Sequence, residues 1–518
     1  MDTSFVGNLL LRARRLVGKD ADYDGWRSFR ARANTLIRRM KDWPHAGFAA
    51  AKGERVGVVV TPWVRSDVPL FSIECALRLA SAGSKVLIYY DHADILGNAP
   101  FAEEIEIIGR VLARLPAELQ VVDMSASRGS HGVVEDAEAW VIVQENAIRT
   151  TLGEAGIADF LAAKPEALET TKRHLEKIHH QLASQPVDWI LIPGGIYGVS
   201  SGYIAMARKL GIGFTSYDSD AGMLMLAHNS VACHQEDIAD GFRRVMAGTS
   251  AEDREWMVGE AQAEMNRRIA GNDDWSMQKV AASGEAFGEF NILVPLNLRW
   301  DSAALGRQRL FPSVGEWIKA LVHWAEGEPR ARLCIRQHPS ERFERLRSID
   351  DIGALLARIN RLGDRVRFVA AADPVSTYDI MKTADVILPF TSTLALEGAM
   401  QGRQPILSTW CYYAGFEFAW NASTVEEYFD LIRQGISGAL IPPPTAQATA
   451  AIVYFLTQRC NQMRTLFTPV PVDFPKWSAL SPRDLWRLPE MEDIFQCLST
   501  REPLSSIRCR RMLRERGL

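Results

Sequence analysis

The stretch "ERVGVVVTPWVRSDVPLFSIECALRLASAGSKVLIYYD", residues 54–91, decides the fold class. It opens on an apolar, β-branched run, Val56–Val60, and breaks at the loop "TPWVRSD". "VPLFSIECALRLASAG" then spaces its apolar residues as a helix does, before "SKVLIYYD" gives a second buried strand. Strand, helix and strand in this order predict a βαβ unit, and parallel strands of this kind are covered by helices on both faces.

The same alternation recurs outward from that unit. "ELQVVDM" reads as a strand, "AEAWVIVQENAIRTTL" and "KPEALETTKRHLEKIHHQLASQ" as helices, and "VDWILIPGGIYGVSSGYIAMARKLGIGFTSYDSD" as strand, helix and strand. From about residue 240 to 287 the chain turns charged and helical, as a connector does. A second series begins at "FNILVPLNL" and continues through the strands "ARLCIRQHP", "RVRFVAA", "DVILPF" and "QPILST", each preceded by a helical stretch. Strict alternation predicts a second doubly wound sheet. The expected layout is a basic helical segment over 1–50, a Rossmann-like domain over 51–240, a helical connector over 241–288, a second Rossmann-like domain over 289–420 and a helical tail over 421–518.

Bulk composition bounds the function. The 518 residues are 47% hydrophobic and 24% charged, which suits two or three globular domains at about 100–200 residues each. A formal net charge of -4 argues against nucleic acid as the partner. The seven cysteines are scattered without a C-x-x-C pair, so they read as reduced thiols of a cytosolic protein and not as zinc or redox sites. No run approaches the roughly 20 apolar residues of a membrane span. Both ends are basic, however: between Arg12 and Lys41 the cations are interleaved with Leu11, Leu16, Trp26, Phe29, Leu36 and Ile37, and the tail ends "RCRRMLRERGL". Such a segment either lies on an anionic membrane surface or packs as an ordinary helix with a solvated face.

Two parallel sheets leave a cleft between their carboxyl ends, where ligands of such sheets bind. Five strand ends therefore matter. "PGGIYGVSSGY" offers Gly194 and Gly195 for close approach of backbone to a ligand, or is an ordinary βα loop. "SYDSDAG" places Asp218 and Asp220 two apart; the pair can hold a divalent cation, one of them can act as general base, and one can cap a helix. "RLCIRQHPSER" sets Arg336 and His338 on one strand face, with Pro339 holding the histidine extended, so that both can converge on a phosphate. "PFTSTLALEGAMQG" opens a helix with Thr391, Ser392 and Thr393, a phosphate seat, and carries Glu397 one turn on, where it suits the two hydroxyls of a ribose. "PLNLRWDSAALG" places Asn297 and Asp301 at the cleft or in a turn.

Phosphate seat and ribose partner in one domain, facing carboxylates in the other, describe a nucleotide-sugar site in the GT-B layout. The run from "PLNLRWDSAALG" through "CIRQHPSE" to "TSTLALEGAMQGRQPILSTWCYYAG" resembles the second domain of capsular-polysaccharide glycosyltransferases. Its His-Pro pair, Ser-Thr pair and E-G-A-x-x-G run are also similar to those of bacterial sialyltransferases and β-Kdo transferases, which use CMP-sugars. The likeness covers roughly residues 187–235 and 290–416. It implies that His338, Ser392 and Thr393 hold the nucleotide phosphate and that Asp218 or Asp220 activates an acceptor hydroxyl. It also implies a first domain that takes a glycan or glycolipid acceptor and a second that takes the donor; with His338 and the helix start stabilising the departing phosphate, no metal or other cofactor is expected. Three further readings stand beside it: a nucleotide-sugar 2-epimerase, a non-catalytic binding component of the same architecture, and a nicotinamide oxidoreductase using "GGIYG", although G-x-G-x-x-G is not met.

Overall fold

The structure, a computed structural model, describes residues 19–43, 53–63, 66–95, 101–127, 129, 132–220, 223–272, 288–466 and 474–517. Strands β1 (Arg55–Val60), β2 (Lys85–Tyr90), β3 (Gln120–Asp123), β4 (Trp189–Pro193), β5 (Gly213–Asp220) and β6 (Met223–His228) form one sheet in the order β3-β2-β1-β4-β5-β6. All pairs are parallel except β5 with β6, which sets Asp218 across from Met225. The strand order reverses at β1, so the crevice lies at the carboxyl ends of β1 and β4.

Both faces of this sheet are dry because the strands are apolar on both sides. Val56, Val58 and Val60 pack with Leu70, Phe71 and Ile73 of the helix Val68–Ser81, while Val59 packs on the other face with Ile142, Leu175, Ile178 and Tyr203. Each large side chain buried in this way contributes about 1.5–3 kcal/mol relative to exposure. The second sheet runs β12-β11-β10-β7-β8-β9, from β7 (Ile292–Pro295), β8 (Leu333–Arg336), β9 (Val366–Val369), β10 (Val386–Ile387), β11 (Gln404–Leu407) and β12 (Trp420–Asn421). Every pair in it is parallel. The fold is therefore α/β and GT-B-like: two doubly wound, Rossmann-like domains facing across a cleft.

Two features depart from the sequence-based layout. β6 is an antiparallel strand where no strand was expected, and β12 adds an edge beyond the five expected strands. The chain also crosses between domains more than once. Helices Ile238–Gly248 and Ala251–Ala270 lead out of the first domain, and the helix Ala446–Phe455 packs on Ala251–Ala270 and on Leu394–Met400. Beyond it, Met463 exchanges backbone hydrogen bonds with Leu224, at 2.8 and 3.0 Å. Ile494, Cys497 and Leu498 of the helix Pro489–Thr500, with Leu504 and Ile507 of the final helix, join the core under β1 and β2.

The basic ends are absorbed into this packing. Phe29, Ala33 and Leu36 of the helix Lys19–Arg39 are buried in the first domain's core, so this apolar face is not available to a lipid surface; residues before Lys19 lie outside the described residues. In the final helix Arg511 pairs with Asp493 and Glu492, Arg510 with Glu502, and Arg516 with Glu252 and Asp253. No described helix is long and apolar enough to cross a membrane.

Candidate active cleft

Strand ends of both sheets meet in a cleft of about 770 Å³. It is lined from the first domain by Asp218 and Tyr197 and from the second by Asn297, Asp301, Arg336, His338, Pro339, Thr391, Ser392, Thr393 and Glu397. Ten of the residues singled out from the sequence thus converge, although up to 179 positions separate them. Gly194 and Gly195 do not line it. Both have positive φ, +62° and +128°, and what approaches them is protein: a Cβ would stand 2.7 Å from Trp63 Cη2 and 2.3 Å from Ile204 Cδ1. At these glycines the close approach that a Cβ would block is made by side chains of the protein. The side chain of Asp220 lies outside the described residues.

Arg336 ends β8, 2% exposed. Its Nη1 donates to the carbonyls of Val369, which ends β9, and of Ala370 just beyond it, and its Nε lies 3.4 Å from Thr377 Oγ1. Its Nη2 has no partner among the described residues, and burial lowers its pKa, because a cation there lacks solvation. His338 follows in the extended pose that Pro339 enforces, φ −61° and ψ 128°. Its Nδ1 accepts the Ser340 N–H at 3.2 Å. Burial, with the Arg336 and Arg268 charges, draws its pKa down to about 4, so at neutral pH the ring is uncharged and its one proton sits on Nε2.

The loop after β10 is held by its neighbours. Asn297 Oδ1 accepts the Thr391 N–H at 3.1 Å, and Tyr413 Oη donates to the Ser392 carbonyl at 3.0 Å. Thr391 Oγ1 is buried without a hydrogen-bond partner among the described residues. The helix that follows, Leu394–Met400, has only seven residues, so hydroxyls and not a long helix dipole characterise this seat. Glu397, 2% exposed, is already engaged: Arg268 Nη1 lies 3.1 Å from its Oε1 and Tyr454 Oη 3.3 Å. A ribose would compete with those contacts. Asp301 forms a turn, its Oδ1 accepting the Ala303 N–H at 2.9 Å.

Asp218 is partly exposed on the opposite wall, with Oδ1 accepting the Ser219 N–H at 2.7 Å. Its charge reaches Tyr197 and Cys233, whose pKa values are raised by burial first and by Asp218 second. Among the described residues no three His, Cys, Asp or Glu side chains gather as metal ligands.

Sequence reasoning missed several lining residues. Arg149 comes from the helix Asp136–Thr151, with its Cζ 5.2 Å from the Tyr197 ring centroid and 4.8 Å from that of Trp300. Trp410 stands 51% exposed at the cleft, beside Arg309. Arg307 donates to Glu236 at 2.5 Å across the domains, next to His234, whose pKa burial and Arg307 bring down to about 3. No spacing in the sequence marks these residues.

Contacts also fasten the domains to each other. Arg299 Nε and Gln308 Nε2 each lie 2.6 Å from Glu154 Oε1, and Asp350 accepts the N–H groups of Glu154 and Ala155 at 2.8 Å.

No protein-family model matches the chain, and no curated protein does. Among solved structures it is similar to the β-Kdo 2,7 transferase of Thermosulfurimonas dismutans KpsC, with 13% identity and a TM-score of 0.29 over 54% of this chain and 88% of that one. The β-Kdo 2,4 transferase of the same KpsC gives 14% identity and 0.32 over 52% and 88%. The UDP-GlcNAc 2-epimerase of Neisseria meningitidis bound to UDP-GlcNAc gives 11% and 0.24 over 78% and 100%. Similarity at this level leaves the chemistry to be argued from the cleft itself.

Proposed function

We propose that the protein is a glycosyltransferase that moves a sugar from a nucleotide-activated donor, a CMP-sugar by preference, to a hydroxyl of a glycan or glycolipid acceptor in surface polysaccharide synthesis. The observation that carries this reading is that Arg336 Nη2 and Thr391 Oγ1, buried polar atoms in one wall of the cleft, have no partner among the described residues and stand in the same cleft as the Nε2–H of His338. Buried donors without partners are rare in folded proteins and are costly unless a ligand supplies the acceptor. A phosphate oxygen is such an acceptor. The resemblance of "CIRQHPSE" and "TSTLALEGAMQG" to the donor domains of CMP-sugar enzymes supports the same seat, and favours cytidine as its base.

The reaction follows from the two walls. The donor phosphate sits on Arg336, His338 and the hydroxyls of Thr391, Ser392 and Thr393. Asp218, across the cleft, takes the proton of the acceptor hydroxyl, whose oxygen bonds to the anomeric carbon. The bond from that carbon to the phosphate oxygen breaks and its electron pair stays on the phosphate, where Arg336 and the neutral imidazole N–H stabilise it. Asn297 holds the Thr391 loop in place and acts as a positioning residue.

A thermal-shift screen against CMP, UDP, GDP, ADP and NAD tests this, with His338→Ala alongside. One nucleotide should raise the midpoint of the native protein by mass action and lose that effect in the variant. No shift with any nucleotide, or a shift with NAD alone, overturns the reading. Isomerised free nucleotide-sugar in the absence of acceptor would identify an epimerase instead.

A further inference from the structure

The charged groups of the cleft point to a second anion seat. Most of its cations are neutralised by the protein: Arg268 faces Glu397 at 3.1 Å, Arg307 faces Glu236 at 2.5 Å and Lys382 faces Asp379 at 2.7 Å. Arg336 and Arg149 form no ion pair with a carboxylate among the described residues. Arg336 belongs to the donor phosphate seat, whereas Arg149 comes from the other domain. No hydrogen bond joins the Arg149 guanidinium to another described residue, and its neighbours are aromatic. Its Cζ lies 5.2 Å from the Tyr197 ring centroid and 4.8 Å from that of Trp300, so two aromatic rings attract the cation while leaving its N–H groups without an acceptor among the described residues. Trp300 is itself anchored, its Nε1 donating to the Leu346 carbonyl at 3.2 Å. Tyr197 is also the ring on which the Asp218 charge acts, so the guanidinium and the candidate base share one aromatic neighbour.

We infer that Arg149 is the seat of an anionic group on the acceptor, a carboxylate or a phosphate, held beside the hydroxyl that Asp218 deprotonates. This rests on the transferase reading and narrows it: the acceptor is an acidic glycan or a phosphorylated sugar, not a neutral one. A guanidinium presents two parallel N–H groups, which match the two oxygens of a carboxylate or phosphate, and its planar fork loses less freedom per hydrogen bond formed than an ammonium does. A neutral acceptor would leave that fork without an acceptor in a partly buried site.

Binding of methyl glucuronide, glucose 6-phosphate and methyl glucoside, followed by ligand-observed NMR on the full chain, tests the inference. The two acidic probes should bind at least tenfold more tightly than methyl glucoside, and the one preferred separates carboxylate from phosphate as the natural anion. Arg149→Gln should erase that preference, and Arg149→Lys should retain part of it. Binding of the nucleotide selected in the thermal screen should stay within twofold in both variants, which shows that the fold is intact. Equal binding of acidic and neutral probes, no binding of acidic probes, or a preference that survives Arg149→Gln overturns the inference. So does a loss of nucleotide binding in Arg149→Gln as large as that in Arg336→Gln, since Arg149 would then belong to the donor seat. Failure of every nucleotide to bind the native protein would instead strike the transferase reading itself.

Discussion

Replacing Arg299 by leucine should unfasten the two domains at a measurable cost. Arg299 is 4% exposed, its Nε bonds Glu154 at 2.6 Å, and its charge also lowers the pKa of Glu145. Burial pushes both carboxyls up from their ordinary values, and Arg299 opposes that push. Removing one partner of a buried ion pair typically costs about 3–5 kcal/mol, because the remaining charge loses its compensation. That is a large share of a total stability of about 5–15 kcal/mol. The pH dependence has a definite sign. A carboxyl whose native pKa lies above its unfolded value binds protons preferentially in the native state, so its contribution is fully present below the unfolded value and is lost as pH rises through the native one. Without Arg299 both native values rise further. The deficit of Arg299→Leu should therefore be greatest near pH 8 and shrink toward pH 5. Urea titrations at pH 5, 6.5 and 8, followed by tryptophan fluorescence, measure it. A loss below about 1 kcal/mol, the range of an exposed pair, would refute the reasoning, as would a deficit that grows in acid.

Asp218→Asn should lower kcat by about 10²–10⁴, the usual contribution of a general base, while the nucleotide still raises the thermal midpoint. Because the pKa of His338 is depressed to about 4, calorimetric binding of a nucleotide phosphodiester should be level between pH 6 and 8, whereas an imidazolium partner would make binding weaken as pH rises. The same depression means that the contribution of His338 to stability is present above its ordinary 6.5 and is lost as pH falls toward 4, which acid titration of the unliganded protein reads. In Gly398→Ala the new Cβ would lie 2.1 Å from Ile387 Cδ1. Overpacking of about 1–3 kcal/mol should exceed the helix-propensity gain of about 1 kcal/mol, and Ile387→Val, which removes that Cδ1, should restore part of the loss in a thermal melt.

Strand identity was legible wherever a strand is buried on both faces, because unbroken apolar runs such as Val56–Val60 and "DVILPF" have few other uses. β6 escaped because "MLMLAH" begins only three positions after the last residue of β5, and the core that receives Leu224 and Leu226 includes residues some 260 positions later. The donor wall was legible because its polar residues end apolar strands. Glu397 illustrates the limit: its helix position was readable, while the arginine that engages it comes from 129 residues earlier. Gly194 and Gly195 show a second limit. A glycine reports that something approaches closely, and only the structure identifies the neighbours as Trp63 and Ile204. Arg149, Tyr197 and Trp300 meet through tertiary packing alone.

The return of the last helices to the first domain has a consequence for how the chain is made. The second sheet is contiguous in sequence, whereas the core under β1 and β2 takes Ile494, Leu498, Leu504 and Ile507 from the final part of the chain. During synthesis from the amino end, the second sheet can close while the first remains without part of one wall. Of the two sheets, the one made earlier is thus completed later, only after residues 494–507 have followed the second sheet out of the ribosome.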